Sequence, residues 1–254
     1  MIRLHGAPPT HLTFESLDAL GWPHLSTTRH CPGIAQSDSP GSPFGREARA
    51  FFRASGLDFS RVAFLSQIHS AETRRVERGG HAGKGDILLT AEPDLPLAVF
   101  TADCLAIILA DPGRRLLAMA HVGWRGTVKG AAARAVEALV ALGADPENLV
   151  IAITPSIGPC CYEVDRPVID RFRHAFPDRG EAWVEPVGPG KWMFDLWAAN
   201  EAQLVAAGCR AERIANPRLC TACRWDLFFS YRKEGSGGRL VTVAALPSGP
   251  HRPA

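Results

Sequence analysis

Residues 97–126 read LAVFTADCLAIILADPGRRLLAMAHVGWRG. Leu97 to Phe100, Leu105 to Ala110 and Leu116 to Ala120 are continuous apolar runs of strand length. Asp111-Pro112-Gly113 between the last two is a tight-turn signal, so the stretch predicts buried strands around a turn. Each run leads into a side chain that a buried strand rarely carries without use. Asp103 and Cys104 lie between the first two runs, and His121 ends the third. A carboxylate, a thiol and an imidazole on neighbouring strands can converge on one spot, and such a spot is a reaction centre.

On the upstream side, Val62 to Ile68 is a strand-like run ending at His69, and Asp86 to Thr90 is another short strand after a glycine-rich loop. On the downstream side, Val128, Ala132, Ala135, Leu139 and Leu142 recur at helical spacing until Gly143 closes the helix. The order strand, turn, helix places Trp124 and Arg125 at a helix entrance, where backbone N–H groups and the helix dipole favour an anion. Leu149 to Ile153 reads as a strand running into the rigid loop Pro155-Ser156-Ile157-Gly158-Pro159-Cys160-Cys161-Tyr162. Asp165 to Ala175 and Asp195 to Ala207 read as helices, the second capped by Asp195 and stopped by Gly208. Leu227 to Arg232 and Arg239 to Leu246 read as strands. The first 60 residues are expected to be irregular, with a short helix over Arg46 to Ala54. Gln36 to Pro43 is expected to be a surface loop, Ser26 to Arg29 to edge a site, and the tail from Pro247 to be frayed.

The totals describe an ordinary globular chain of 254 residues, 46% hydrophobic and 21% charged, with a net charge of +2. That balance gives no push toward nucleic acid or a membrane surface. No run of about 18 apolar residues and no charged-then-apolar leader is visible, so the expected compartment is the cytoplasm. No linker separates the motifs, which favours one domain over residues 1–254. Seven cysteines in a chain of this size favour free or metal-bound thiols over a disulfide framework.

His69, Cys104 and His121 are the candidate ligands. They are far apart in sequence, as expected of a site assembled from separate strands, whereas a zinc finger shows its ligands in tight pairs. Two imidazoles and one thiolate leave a fourth tetrahedral position open for water or substrate. The same set is the equatorial set of a blue-copper site, and a buried Cys beside a His is also a nucleophile and its base. Asp103, next to Cys104, reads as a structural hydrogen-bond acceptor. Cys220-Thr221-Ala222-Cys223 has CxxC spacing but no second pair of that spacing, so it reads as structural, and Cys160-Cys161 reads as packing. Arg125, Arg232 and Arg239 are candidates to grip a phosphate. Trp183, Trp192 and Trp197 read as packing residues.

SQIHS, GDILLT, TADCLAIILAD, AHVGWRGTVKGA, PSIGPCCYEVD and FFSYRKEGSGGR occur in the order seen in the YfiH-like proteins. The chain resembles that family from about Ser66 to Leu246. The family is also called the laccase-domain or multicopper polyphenol oxidase family and includes bacterial purine nucleoside phosphorylases. The resemblance implies a single α+β domain with mixed β-sheets packed between helices, in α/β/β/α layers. It places the family's zinc ligands on His69, Cys104 and His121. It also implies phosphorolysis of adenosine, inosine, guanosine and methylthioadenosine, together with adenosine deamination. Purine nucleosides and phosphate are then the partners. Cys104, His121 and Arg125 are the catalytic candidates, and Gln67, Tyr162, Ser230 and Arg232 the contacts to base or ribose. The chain departs from the family pattern at Thr154, where a glycine is usual, and at Lys233, where a second arginine is usual. It also lacks a clear Asn-Leu-Gly segment. Two further readings are a copper-dependent polyphenol oxidase and a cysteine hydrolase or amidase acting on peptidoglycan precursors. Multicopper chemistry needs many histidines, usually in His-x-His pairs, and this chain has 9 His and no such pair.

Overall fold

A continuous apolar run, unlike an alternating one, needs apolar neighbours on both faces of its strand. The computed structural model, which describes residues 1–34 and 45–249, supplies them. Within the described residues the chain is α+β, with two large mixed sheets face to face. The first contains β1 (Ile2–Gly6), β2 (Pro9–Phe14), β3 (His24–Thr27), β4 (Ala63–Ser66), β6 (Gly80–Lys84), β8 (Leu97–Thr101) and β16 (Leu240–Ala244), in the order β1-β2-β3-β16-β8-β4-β6. The second contains β5 (Thr73–Arg75), β7 (Ile87–Thr90), β9 (Leu105–Asp111), β10 (Leu116–Val122), β11 (Val150–Ile153) and β15 (Ile214–Ala215), in the order β15-β11-β9-β10-β7-β5. A third, smaller sheet joins β12 (Glu163–Asp165), β13 (Val184–Gly188) and β14 (Lys191–Phe194) in the order β12-β14-β13.

The second sheet is a middle layer. Along β9, Ala106, Ile108 and Ala110 pack toward the first sheet, while Leu105, Ile107 and Leu109 pack toward the helices. β10 repeats the division with Leu117 and Met119 against Ala118, Ala120 and Val122. The helix layer is α3 (Trp124–Val128), α4 (Ala131–Val140), α5 (Arg166–Ala175) and α6 (Leu196–Ala206), with α4 burying Ala132, Ala135, Val136 and Leu139. α1 (Glu15–Asp18) contributes Leu17 to the core between the sheets. α2 (Arg46–Ala54) lies on the outer face of the first sheet. Phe14 of β2 lines a cleft with Val150 and Ile214 of the second sheet, while His11, of opposite parity, meets Phe51 of α2 with ring centroids 5.3 Å apart. A seventh helix, α7 (Tyr231–Glu234), follows the turn at 220–227.

The hairpin β9–β10 forms with Leu116 opposite Asp111 and His121 opposite Ala106. The run at 97–101 differs from the expectation: β8 pairs with β16 in the first sheet, so 102–104 is a crossover between sheets. Cys104 therefore sits in a turn, and Asp103 adopts the left-handed conformation with φ 82°.

The expected helix after His121 is two helices, because Gly130, at φ 72°, ends α3 before α4 begins. Among the described residues of the first 60, three strands and the short helix α1 stand where irregular chain was expected. Gly6 and Pro8 mark the turn of the β1–β2 hairpin, and Pro23 the entry to β3. The helix at Arg46–Ala54 has the expected bounds, whereas the loop over Gln36 to Pro43 lies outside the described residues. Leu227 to Arg232 forms no strand: Ser230 caps α7. At the tail, Arg115 donates to the carbonyls of Pro247 at 2.6 Å and Gly249 at 2.7 Å, so 247–249 is tied down. Residues 250–254 lie outside the described residues.

Candidate active site

Three chain segments meet where the two large sheets join. His69 lies in the connection from β4 to β5, Cys104 in the crossover from β8 to β9, and His121 near the end of β10. One donor atom from each lies within 4.8 Å of the other two. The imidazole rings of His69 and His121 are 4.9 Å apart and nearly perpendicular, at 76°.

Asp86, just ahead of β7, holds this arrangement together. Its Oδ1 accepts from His121 Nδ1 at 2.8 Å and from the His69 amide at 3.0 Å. Its Oδ2 accepts from the Ser70 amide and the Ser70 hydroxyl, both at 2.6 Å. The buried carboxylate therefore fixes the His121 tautomer, turning Nε2 toward Cys104 and His69. It also supports the backbone at His69, which is left-handed with φ 56°. Lys129 Nζ donates to the His69 carbonyl at 2.8 Å from the other side. From the sequence alone Asp86 belongs to a short strand and has no evident role. An aspartate between a glycine and an apolar strand was the available signal.

Charge within the cluster is strongly coupled. Burial by itself would raise the Asp86 carboxyl, but hydrogen bonds from His121 and Ser70 hold it at about 2. Burial would lower His121, yet Asp86 and Cys104 raise it to about 9. Burial would raise the Cys104 thiol, while His121 and His69 bring it down to about 6. Each of the two thus favours the charged form of the other.

Gly123 follows from the same crowding. A Cβ there would lie 2.7 Å from Cys104 Sγ and 3.3 Å from His69 Cδ2, so the chain entering α3 passes directly against the ligands. α3 is in turn anchored by α6, where Asn200 Nδ2 donates to the Thr127 hydroxyl and Gln203 Nε2 to the Thr127 carbonyl, both at 3.0 Å.

The cluster opens into a cavity of about 680 Å³. Gln67, Tyr162, Arg125, Arg232 and Arg239 line it together with Phe100 and Trp124. Arg125 stacks on Trp124, its guanidinium carbon 4.3 Å from the ring centroid. Gln67 is committed to the wall, since its amide donates to the Phe100 carbonyl at 2.7 Å and accepts from the Phe100 amide at 2.8 Å. Arg232 is likewise engaged, donating to the carbonyls of Cys161 and Glu163 at 3.3 and 2.9 Å and lying over the Tyr162 ring.

Ser230 departs from its expected role. It is buried outside the cavity lining, and its hydroxyl accepts from the Lys233 amide at 3.3 Å as the cap of α7. Ser26, Thr27, Thr28 and Arg29 lie outside the lining of this cavity. Thr242 donates to the Ser26 hydroxyl, and Thr27 Oγ1 accepts from the Val241 amide. Asp103 is the structural acceptor expected, taking hydrogen bonds from the Thr221 hydroxyl and the Arg232 amide, both at 2.6 Å. Trp183, Trp192 and Trp197 are buried packing residues.

A family profile described as multi-copper polyphenol oxidoreductase laccase matches residues 36–247. The chain belongs to this laccase family. Among the proteins this chain is similar to, the purine nucleoside phosphorylase YlmD of Geobacillus stearothermophilus is 36% identical over 193 residues, covering 69% of this chain and 68% of that protein. A purine nucleoside phosphorylase of Deinococcus radiodurans is 35% identical over 241 residues, 90% of each chain. Adenosine deaminase RL5, from an unknown prokaryotic organism, is 38% identical over 158 residues, covering 62% of this chain and 60% of that protein. The crystal structure of YlmD from Geobacillus stearothermophilus superposes with a TM-score of 0.86 at 28% identity, covering 96% of this chain and 99% of that one. Its relatives mark this laccase-family chain as an enzyme. No helix of the described residues is long and apolar enough to cross a membrane.

Proposed function

We propose that this chain is a zinc-dependent purine nucleoside phosphorylase acting on adenosine, inosine, guanosine and methylthioadenosine, with adenosine deamination as a second reaction. One observation carries the reading: two imidazoles and a thiol share a point in the wall of a cavity that also exposes Arg125 and Arg239. The relatives named for these two reactions support it.

The donor chemistry fits zinc. Borderline-soft N and S ligands in a set of three suit a tetrahedral ion with one open position, and the Asp86–His121 hydrogen bond is the outer contact such a site needs. Zinc held there by His69, Cys104 and His121 would act as a Lewis acid. In phosphorolysis, a phosphate oxygen bonds to the anomeric carbon as the bond from that carbon to the purine nitrogen breaks. The purine leaves with the electron pair and takes up a proton. Arg125 and Arg239 would carry the charge of the phosphate. Phe100 and Tyr162 would bound the base, and the Gln67 and Arg232 clasps would hold that wall still. In deamination, water replaces the 6-amino group and ammonia leaves. A cytoplasmic setting suits seven cysteines that form no disulfide.

A polyphenol oxidase reading finds less support. Among the described residues, His69–Cys104–His121 is the one donor cluster that contains histidine. The cysteine hydrolase reading gains from the Cys104–His121–Asp86 alignment and the lowered Cys104 thiol. Zinc that blocks alkylation of Cys104 while activating the enzyme counts against it. The direct assay is inosine with and without phosphate. Hypoxanthine released only with phosphate supports the phosphorylase, and release independent of phosphate removes it.

A further inference from the structure

Outside the cavity wall, four cysteines from two segments converge. Cys160 and Cys161 end the loop after β11, and Cys220 and Cys223 lie in the turn before α7. The two pairs, read from the sequence separately as packing and as structural, stand together in the structure, and the partner of the CxxC pair is vicinal and not another CxxC. All four Sγ atoms lie within 4.8 Å of one another, and Cys223 Sγ is 3.4 Å from both Cys160 and Cys161. A disulfide requires sulfurs about 2.05 Å apart. Four sulfurs about 2.3 Å from a central zinc lie about 3.8 Å from one another, a value between the 3.4 Å of the two shortest pairs and the 4.8 Å within which all four lie.

Backbone amides face the sulfur of Cys220. The Gly158 amide donates to Cys220 Sγ at 3.3 Å, and the Cys223 amide also donates to Cys220. The two segments are docked by a parallel bridge between Ser156 and Cys220, with the Ser156 amide donating to the Leu219 carbonyl and the Thr221 amide to the Ser156 carbonyl. Gly158 is held against Trp197, where a Cβ would lie 2.5 Å from the ring. Cys220 is buried while Cys160 and Cys223 are exposed, so an ion can enter from solvent without unfolding.

We propose that Cys160, Cys161, Cys220 and Cys223 hold one zinc ion as a closed tetrathiolate site, separate from the His69–Cys104–His121 centre. Four protein ligands leave no open position, so this ion is structural. It clips the loop that delivers Tyr162 to the turn that leads to Arg232, both cavity residues. Thr221, inside the CxxC turn, also donates to Asp103 beside Cys104. The clip therefore positions one wall of the active site and takes no part in the chemistry.

The test is metal analysis with X-ray absorption at the zinc edge, on full-length wild type, Cys104→Ala and the double variant Cys160→Ser/Cys223→Ser. Wild type should carry about two zinc ions per chain and each variant about one, with the Cys104→Ala signal showing only sulfur at about 2.3 Å. Because Cys104→Ala leaves all four thiols intact, the result does not depend on whether the double variant folds. Zinc lost in Cys104→Ala but not in the serine variant would overturn the four-cysteine site and leave the catalytic ion standing, whereas zinc lost only in the serine variant would support the four-cysteine site and remove the catalytic ion. A folded Cys104→Ala protein without metal, a mass two protons lighter from a disulfide among the four, or iron in place of zinc would overturn the proposal.

Discussion

Asp86 Oδ1 and His121 Nδ1 lie 2.8 Å apart, both buried, and the same oxygen also accepts the His69 amide. One carboxylate thus orients two of three ligands, one through its ring and one through its backbone. Asp86→Asn keeps the shape but offers an N–H to one of these donors. Zinc affinity at the catalytic centre, measured by chelator competition, is expected to fall about 10- to 100-fold. Unchanged affinity would remove Asp86 from the site.

Gly123 has ordinary extended backbone, so its role is space and not conformation. Gly123→Ala pushes a methyl against Cys104 Sγ and His69. The expected outcome is at least a tenfold weaker hold on the catalytic zinc, together with a stability loss of about 1–3 kcal/mol from overpacking. Metal titration and urea unfolding in parallel check both. An alanine variant that binds zinc like wild type would contradict the crowding.

Arg125 is exposed and stacks on Trp124. Its loss should leave zinc content and melting temperature nearly unchanged while raising the KM for phosphate about tenfold, the size of one charge-assisted hydrogen bond. Arg125→Lys should recover only part of this, since an ammonium lacks the two-pronged geometry. A KM change for nucleoside alone would reassign the residue.

Acid should destabilise the fold through two histidines remote from the site. His24 is buried, with Nδ1 donating to the Trp22 carbonyl at 2.8 Å and Nε2 accepting the Phe14 amide at 2.7 Å, so a second proton has no place. Burial lowers it despite Trp22 and Asp18, and burial with the nearby charge of His5 lowers His11 to about 4. The unfolded chain takes up these protons near 6.5. Stability is therefore complete above that pH and is lost as pH falls toward 4. His11, being half-exposed and screened, is expected to account for about 1–2 kcal/mol of the loss. Urea unfolding of chelator-treated protein at pH 7.5 and 4.5 should show His11→Gln losing less than wild type, and equal losses would exclude His11.

Legibility followed burial. The strands of the middle layer could be read because apolar packing on both faces leaves continuous runs such as Leu105 to Ala110, and α6 could be read because Asp195 and Gly208 bracket it. β1 to β3 were hidden because prolines and glycines that mark their turns looked like interruptions. The three proposed ligands stood out as polar residues in or beside such runs, whereas Asp86 did not, its function being to accept hydrogen bonds across the fold from His121. The four-cysteine cluster was invisible for a similar reason. Its halves come from segments whose contact is created only by docking the 155–162 loop on the 219–223 turn.

The most direct test of the account is an anomalous difference map at the zinc edge from crystals of the wild-type protein. The expected result is a peak about 2.0–2.3 Å from a ring nitrogen of His69, Cys104 Sγ and His121 Nε2 together. A map with no peak between those three side chains, from protein that still releases hypoxanthine from inosine and phosphate, would contradict it.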